Sequence, residues 1–104
     1  MLDSKAVEDI SRISDIVRAN EYEGYEVLVF GFSDSLGKIG ANLALSKRRA
    51  EAVRQILLDE NSGYLDVSNV SSYGIGPVAP VGCNSTNEGR QRNRRVEIWL
   101  RPKA

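Results

Sequence analysis

The feature that most constrains the fold is the run Tyr25–Phe32, which reads Tyr-Glu-Val-Leu-Val-Phe-Gly-Phe. It is nearly continuous in apolar residues and rich in the β-branched and aromatic types that pack well on a pleated surface. Such a run predicts a strand that is buried on both faces, as a strand at the centre of a sheet is.

The rest of the chain predicts two helices and two further strands around this central strand. By hydrophobic periodicity we assign helices to residues 3–19 and 38–59, strands to 67–73 and 95–101, and a long loop to 74–87. This order predicts an α/β domain, more narrowly an α+β two-layer sandwich with helices packed on one face of a small mixed sheet. A length of 104 residues fits one domain.

The composition excludes several kinds of chemistry. The chain has no histidine and one cysteine, Cys83. It therefore lacks the commonest general base and the commonest metal ligand, which excludes thiolate–imidazole catalysis and zinc sites of cysteine and histidine. We expect no metal, no cofactor and no catalytic group. No apolar run is long enough to span a membrane.

Arg49 occupies an unusual position on the second predicted helix. At about 100° per residue, Asn42, Leu45 and Ile56 fall within about 40° of it, so it lies in the apolar stripe. A partly buried guanidinium needs an anion, and an unpaired one costs about 3–5 kcal/mol. An internal partner such as Glu97 would satisfy Arg49, as would a side chain that extends along the surface until its guanidinium reaches water, or an anionic ligand; structural ion pairs are common, so a structural role is favoured.

Asp34 directly follows the predicted central strand. The ends of central strands are where α/β folds tend to bind ligands, although an aspartate there can also simply hydrogen-bond its own loop. If the second helix packs back on the strand, Asp34 and Arg49 lie near one cleft. Such a pair suits a zwitterion, whose ammonium Asp34 would bind and whose carboxylate Arg49 would bind in bidentate fashion.

The charge distribution leaves a second kind of ligand open. Acidic residues outnumber basic ones by seven to three in residues 1–26, whereas residues 89–104 hold six basic residues and one acidic. The cluster Arg90–Lys103 could bind a polyanion or nucleic acid. Aromatic residues make up only 7% of the chain, so platforms for base stacking are scarce. We therefore expect no nucleic-acid partner and keep polyanion binding as the alternative.

Two spaced motifs in this sequence resemble the signature of OmpA-like domains. The first comprises Gly31-Phe-Ser-Asp34-Ser-Leu-Gly37, Asn42, Leu45-Ser46, Arg49-Ala50 and Val53. The second comprises Tyr73-Gly74-Ile-Gly76, Pro80, Asn84-Ser-Thr86, Gly89-Arg90 and Asn93-Arg94-Arg95-Val96-Glu97. The resemblance covers about residues 25–101. It implies a periplasmic domain of the cell envelope that binds peptidoglycan non-covalently, through the diaminopimelate of the stem peptide, and anchors a fused or associated module to the wall.

The resemblance also assigns expected roles to individual residues. The family's aspartate maps to Asp34, which would hold the ligand ammonium, and its arginine maps to Arg49, which would hold the carboxylate. Asn42 and Leu45 map to positions that line the cleft, and Ser33 keeps a hydroxyl beside it.

Asn93 and Arg94 map to the second motif, where we expect mainly support of the loop and the cleft. The sequence departs from the family pattern at Phe32-Ser33, where His-Thr is usual, so Phe32 removes a polar group that bears on fine specificity. The family also begins with a strand before its first helix, which is short or missing here. We expect residues 1–104 to be one OmpA-like domain excised from a longer exported protein, fused to another periplasmic module.

The alternative enzymatic hypothesis for this chain is a hydrolase that cleaves the cell wall. Glycoside cleavage needs two carboxylates that face each other across a cleft. Only Asp34 is well placed for that role, and its nearest expected partner is basic. The sequence therefore favours a binding domain over an enzyme.

Overall fold

The computed structural model describes residues 4–19, 24–78 and 82–102. Within these ranges the elements, in chain order, are α1 (Ser4–Arg18), β1 (Tyr25–Phe32), α2 (Ile39–Glu60), β2 (Val70–Gly76), α3 (Asn87–Asn93) and β3 (Val96–Pro102). Residue 3, where the first helix was predicted to begin, lies outside the described residues.

The three strands form one mixed sheet in the order β2-β1-β3. Strand β1 pairs in parallel with β2, where Val27 lies opposite Val70, and antiparallel with β3, where Val29 lies opposite Ile98. The central position predicted for Tyr25–Phe32 is confirmed, because neighbours on both sides satisfy its backbone groups.

Helices α1 and α2 cover one face of this sheet, as predicted. Val27 and Val29 point to that face and pack with Val53 and Leu57 of α2 and Ile13 of α1 in the hydrophobic core. These side chains are at most 6% exposed. Alternation along the strand explains the arrangement, because residues two apart share one face of a sheet.

Helix α2 approaches β1 so closely that one position excludes a side chain. A Cβ atom added at Gly31 would lie 2.0 Å from the backbone oxygen of Ser46. The glycine therefore brings the first turns of α2 against the end of β1, which is where Asp34 follows.

The opposite face of the sheet carries aromatic side chains. Phe30 stacks on Tyr73 with ring centroids 5.5 Å apart, and the guanidinium of Arg95 lies 4.0 Å from the centroid of the Phe32 ring. The Trp99 side chain on the same face is exposed. Burial on this face is uneven, since Phe32 is buried whereas Tyr73 is exposed.

Strand β2 begins and ends later than the predicted 67–73. Residues 66–69 instead form a turn, because the Asp66 carboxylate accepts a hydrogen bond from the Ser68 backbone N–H and the Asn69 side chain accepts one from the Asp66 N–H. At the other end, Gly76 still pairs with Phe32, so part of the predicted loop belongs to the strand.

Residues 82–86 of the predicted loop 74–87 lead into helix α3, which the sequence analysis missed, and residues 79–81 lie outside the described residues. The Thr86 hydroxyl caps this helix by accepting a hydrogen bond from the Gly89 N–H at 3.0 Å. Its seven residues contain no large apolar side chain, so the helix gives no periodic signal.

Candidate functional site

The end of β1 is fixed by its neighbours on both sides. The Phe32 N–H donates to the Arg95 carbonyl and the Ser33 N–H donates to the Gly76 carbonyl, both at 2.8 Å. Ser33 and Asp34, which follow, are each 5% exposed. These backbone hydrogen bonds fix the position at which the chain leaves the sheet, and therefore the position of Asp34.

The Asp34 carboxylate has two contacts. Its Oδ1 accepts a hydrogen bond from the Leu36 N–H at 2.9 Å, and its Oδ2 lies 3.2 Å from Nη1 of Arg94. The first contact is a hydrogen bond within the loop, which the sequence analysis considered as the alternative to ligand binding. Asp34 makes this bond and also lines the pocket described below. The Asn42 amide holds the same loop by donating to the Leu36 carbonyl at 2.8 Å.

Arg49 lies on α2 and is partly buried, as its helical position predicted. Its Nη1 atom is buried and has no hydrogen-bond partner among the described residues. Burying an unpaired guanidinium nitrogen is costly, so this nitrogen is a donor available to a ligand.

The internal partner considered for Arg49 is engaged elsewhere. Glu97 accepts hydrogen bonds from Nε of Arg95 at 2.6 Å and from the Trp99 indole N–H at 3.1 Å. Burial acts to raise the pKa of Glu97, but the hydrogen bonds from Arg95 and Trp99 outweigh it and lower the pKa below its usual value. The interpretation of Glu97 as the partner of Arg49 is therefore wrong.

A pocket of about 200 Å³ brings the predicted site residues together. Its lining is Ser33, Asp34, Leu36, Asn42, Leu45, Arg49 and Arg94. All five residues expected at the ligand line it. Phe32, the departure from the family pattern, does not line it, because its ring lies beneath Arg95 on the other side of the sheet.

Two residues of the lining were not predicted as ligand contacts. Leu36 was passed over as part of a loop, and a single apolar residue in a polar loop gives no sequence signal of ligand contact. Arg94 was expected mainly to support the cleft, and the structure places its guanidinium inside the pocket. The lining therefore holds one carboxylate and two guanidinium groups.

Asn93 ties a second loop to the site. Its buried amide accepts from the Gly82 N–H at 2.8 Å and donates to the Gly82 carbonyl at 3.0 Å and to Oδ1 of Asn84 at 2.8 Å. Asn84 Oδ1 also accepts from the Ser35 N–H at 3.2 Å. A continuous set of hydrogen bonds thus joins α3 to the residue that follows Asp34.

We expect Asn93→Ala to lower the free energy of unfolding by about 2–3 kcal/mol, because it leaves both part-buried backbone groups of Gly82 without their side-chain partner. Urea unfolding measures the change. Thr86→Ala removes only the cap of the same helix and should cost about 1 kcal/mol. An equal cost for the two substitutions would contradict the role assigned to Asn93.

Much of the predicted basic cluster is engaged internally. Arg90 donates to the Asn84 carbonyl at 2.9 Å, Arg95 pairs with Glu97, and Arg101 pairs with Glu26. These contacts engage three guanidinium groups of the cluster, and Lys103 lies outside the described residues.

The described ranges contain neither a candidate metal site nor a candidate membrane-spanning helix. In these ranges no three acidic or cysteine side chains converge on a point where a metal ion could bind. The helices described here also lack the combination of length and hydropathy that a bilayer-spanning helix needs.

The sequence and the fold are similar to those of known proteins. The profile of the OmpA family matches residues 1–94. The chain belongs to the OmpA family.

Three relatives show the extent of the similarity. The chain is 42% identical over 82 residues to the probable lipoprotein YiaD of Escherichia coli, covering 79% of this chain and 36% of that protein. It is 34% identical over 91 residues to the peptidoglycan-binding protein ArfA of Mycobacterium tuberculosis, covering 88% and 26%. The solved cell wall anchor of the T6SS from Pseudomonas aeruginosa superposes with a TM-score of 0.71 at 31% identity, covering 99% of this chain and 70% of that one. The chain thus spans about a third or less of these two curated relatives.

Proposed function

We propose that this domain binds peptidoglycan non-covalently by holding the diaminopimelate of the stem peptide in the pocket of Asp34 and Arg49. The observation that carries the proposal is that Arg49, whose buried Nη1 has no partner among the described residues, lines the same pocket as the carboxylate residue Asp34. A ligand carboxylate would supply the missing acceptor.

The second half of the ligand fits the acidic side of the pocket. The free end of diaminopimelate carries an ammonium beside its carboxylate. Asp34 is 5% exposed, and its Oδ2 faces a cation already. An ammonium placed there would gain a charge-assisted hydrogen bond in a site with little competing water.

The relatives support this proposal and suggest its purpose. One relative is named as peptidoglycan-binding, and a solved relative is described as a cell wall anchor. We extend the same role to this chain, as a periplasmic domain that attaches a fused or associated module to the wall. The short span of the chain relative to its relatives is compatible with such a fusion.

Weak binding at each stem peptide suffices for this role. Diaminopimelate has about 13 non-hydrogen atoms, which at about −0.3 kcal/mol per atom gives about −4 kcal/mol and a dissociation constant near 1 mM. The wall repeats the same stem peptide many times, so several attached copies gain avidity.

Asp34→Asn tests the acidic side of the site. The asparagine side chain can still accept the bond from the Leu36 N–H, so the loop should persist while the negative charge is lost. We expect sedimentation with purified peptidoglycan to fall at least tenfold, the effect of one charge-assisted hydrogen bond. Asp66→Asn, which changes an aspartate in another turn, is the matched control. Wild-type sedimentation by a well-folded Asp34→Asn protein would contradict the proposed site.

Polyanion binding through Arg90–Lys103 makes opposite predictions. It should weaken steeply as salt rises, and Asp34→Asn should leave it unchanged or strengthen it. Gel shifts at two salt concentrations separate the two functions.

The pocket supports binding rather than hydrolysis. Among the described residues Asp34 is the only acid in its lining, and glycoside cleavage needs two carboxylates across the scissile bond. Release of soluble wall fragments by the purified domain would contradict this assignment.

A further inference from the structure

The pocket carries one more positive charge than Asp34 can balance. Arg49 and Arg94 both line it, and within the part of the chain that the structure describes Asp34 is the only acid that does. A zwitterion adds no net charge, so it would leave this excess uncompensated. A ligand with one further carboxylate would compensate it.

Arg94 is held loosely beside Asp34. Its contact with Asp34 is a single approach at 3.2 Å, longer than the 2.7–2.9 Å typical of charge-assisted pairs. Its side chain is 41% exposed, whereas Arg95 next to it is 14% exposed and meets Glu97 at 2.6 Å. Arg94 can therefore turn at little cost, because it gives up one weak contact.

A ligand ammonium at Asp34 would displace this contact. The ammonium and the Arg94 guanidinium would then approach the same carboxylate oxygen, and two cations at one acceptor repel each other. Arg94 is relieved of this repulsion when a second anion lies within its reach.

We infer that Arg94 recognises a second carboxylate of the ligand and so makes the pocket selective for stem peptides with an additional free acid. The inference rests on the proposed function. In a stem peptide the residue linked to diaminopimelate is a glutamate joined through its side chain, whose α-carboxyl group is either free or amidated. That group is the carboxylate nearest to the bound zwitterion.

Two synthetic muropeptides that differ only at this α-carboxyl group, one free and one amidated, test the inference. NMR titration gives a dissociation constant for each with the wild-type domain, Arg94→Gln and Arg92→Gln. Arg92 is an exposed arginine of α3 outside the pocket lining, so Arg92→Gln is the matched control for loss of charge.

The wild-type domain should bind the free acid about tenfold more tightly than the amide, as expected for one charge-assisted hydrogen bond. Arg94→Gln should lose this preference by weakening the free acid alone, and Arg92→Gln should keep it. Equal wild-type affinities for the two peptides would overturn the inference but leave the proposed function standing. If Arg94→Gln changes the dissociation constants of both peptides by the same factor, in either direction, the inference is also overturned. Arg94 would then only position or neutralise Asp34. No binding of either peptide by the wild type would overturn the proposed function itself.

Discussion

Replacing Arg49 by glutamine is expected to abolish binding to diaminopimelate and to purified peptidoglycan. The substitution removes the guanidinium whose buried Nη1 awaits an acceptor, so the ligand carboxylate would be buried without its counter-ion. Loss of one partner of a buried charge pair costs about 2–5 kcal/mol, comparable to the whole affinity estimated for one ligand. The measurement is sedimentation with purified wall, supported by NMR titration.

The matched control for this substitution is Arg48→Gln. Arg48 is the preceding residue of α2, is exposed and does not line the pocket. The Arg48→Gln substitution should leave binding unchanged. This control distinguishes the loss of a specific contact in the pocket from a general effect of removing a positive charge. Arg49→Gln should also fold normally, because it removes a nitrogen whose burial no described hydrogen bond offsets. A folded Arg49→Gln domain that sediments like wild type would show that the pocket is not the binding site.

Gly31→Ala is expected to have the largest effect on stability. The new Cβ would lie 2.0 Å from the backbone oxygen of Ser46 and 2.9 Å from its carbonyl carbon. Ser46 cannot move aside freely, since its hydroxyl donates to the Leu43 carbonyl and accepts from the Gly76 N–H. We expect a loss of at least about 3 kcal/mol, because overpacking against backbone exceeds the usual cost of a tight side-chain contact. The total free energy of unfolding of a small domain is about 5–15 kcal/mol, so this loss is a large fraction of it.

Gly40→Ala provides the comparison for the same chemical change. Gly40 lies in the first turn of α2, and a Cβ there would meet nothing within 4 Å. It should stabilise the domain by about 0.5 kcal/mol, since alanine has less backbone freedom to lose. Urea unfolding compares the two variants. A Gly31→Ala midpoint equal to wild type would contradict the close packing of α2 on β1.

The central strand and the main site residues could be predicted from the sequence for identifiable reasons. Tyr25–Phe32 is apolar on both faces, and only a central strand explains that pattern. Arg49 was recognised because a charged residue within an apolar stripe conflicts with helix periodicity, and Asp34 because it directly follows the central strand. Both signals depend on local geometry that regular elements impose.

The remaining features depend on contacts between distant parts of the chain. Helix α3 has no apolar face, and polar contacts such as the Thr86 cap and the bonds of Asn93 to the loop at Gly82 fix its position. Arg94 enters the pocket because α3 ends beside Asp34, which no sequence spacing reveals. The start of β2 was misjudged at Val67, since the turn bonds of Asp66 outweigh the strand propensity of one valine.

An NMR titration of the domain with diaminopimelate tests the central claim most directly. We predict saturable shifts near millimolar ligand that cluster in residues 33–36 and 42–49 and at Arg94, and that are absent in Arg49→Gln. No shifts at high ligand concentration, or shifts confined to the outer face of the sheet around Trp99, would contradict the assignment of this pocket as the peptidoglycan site.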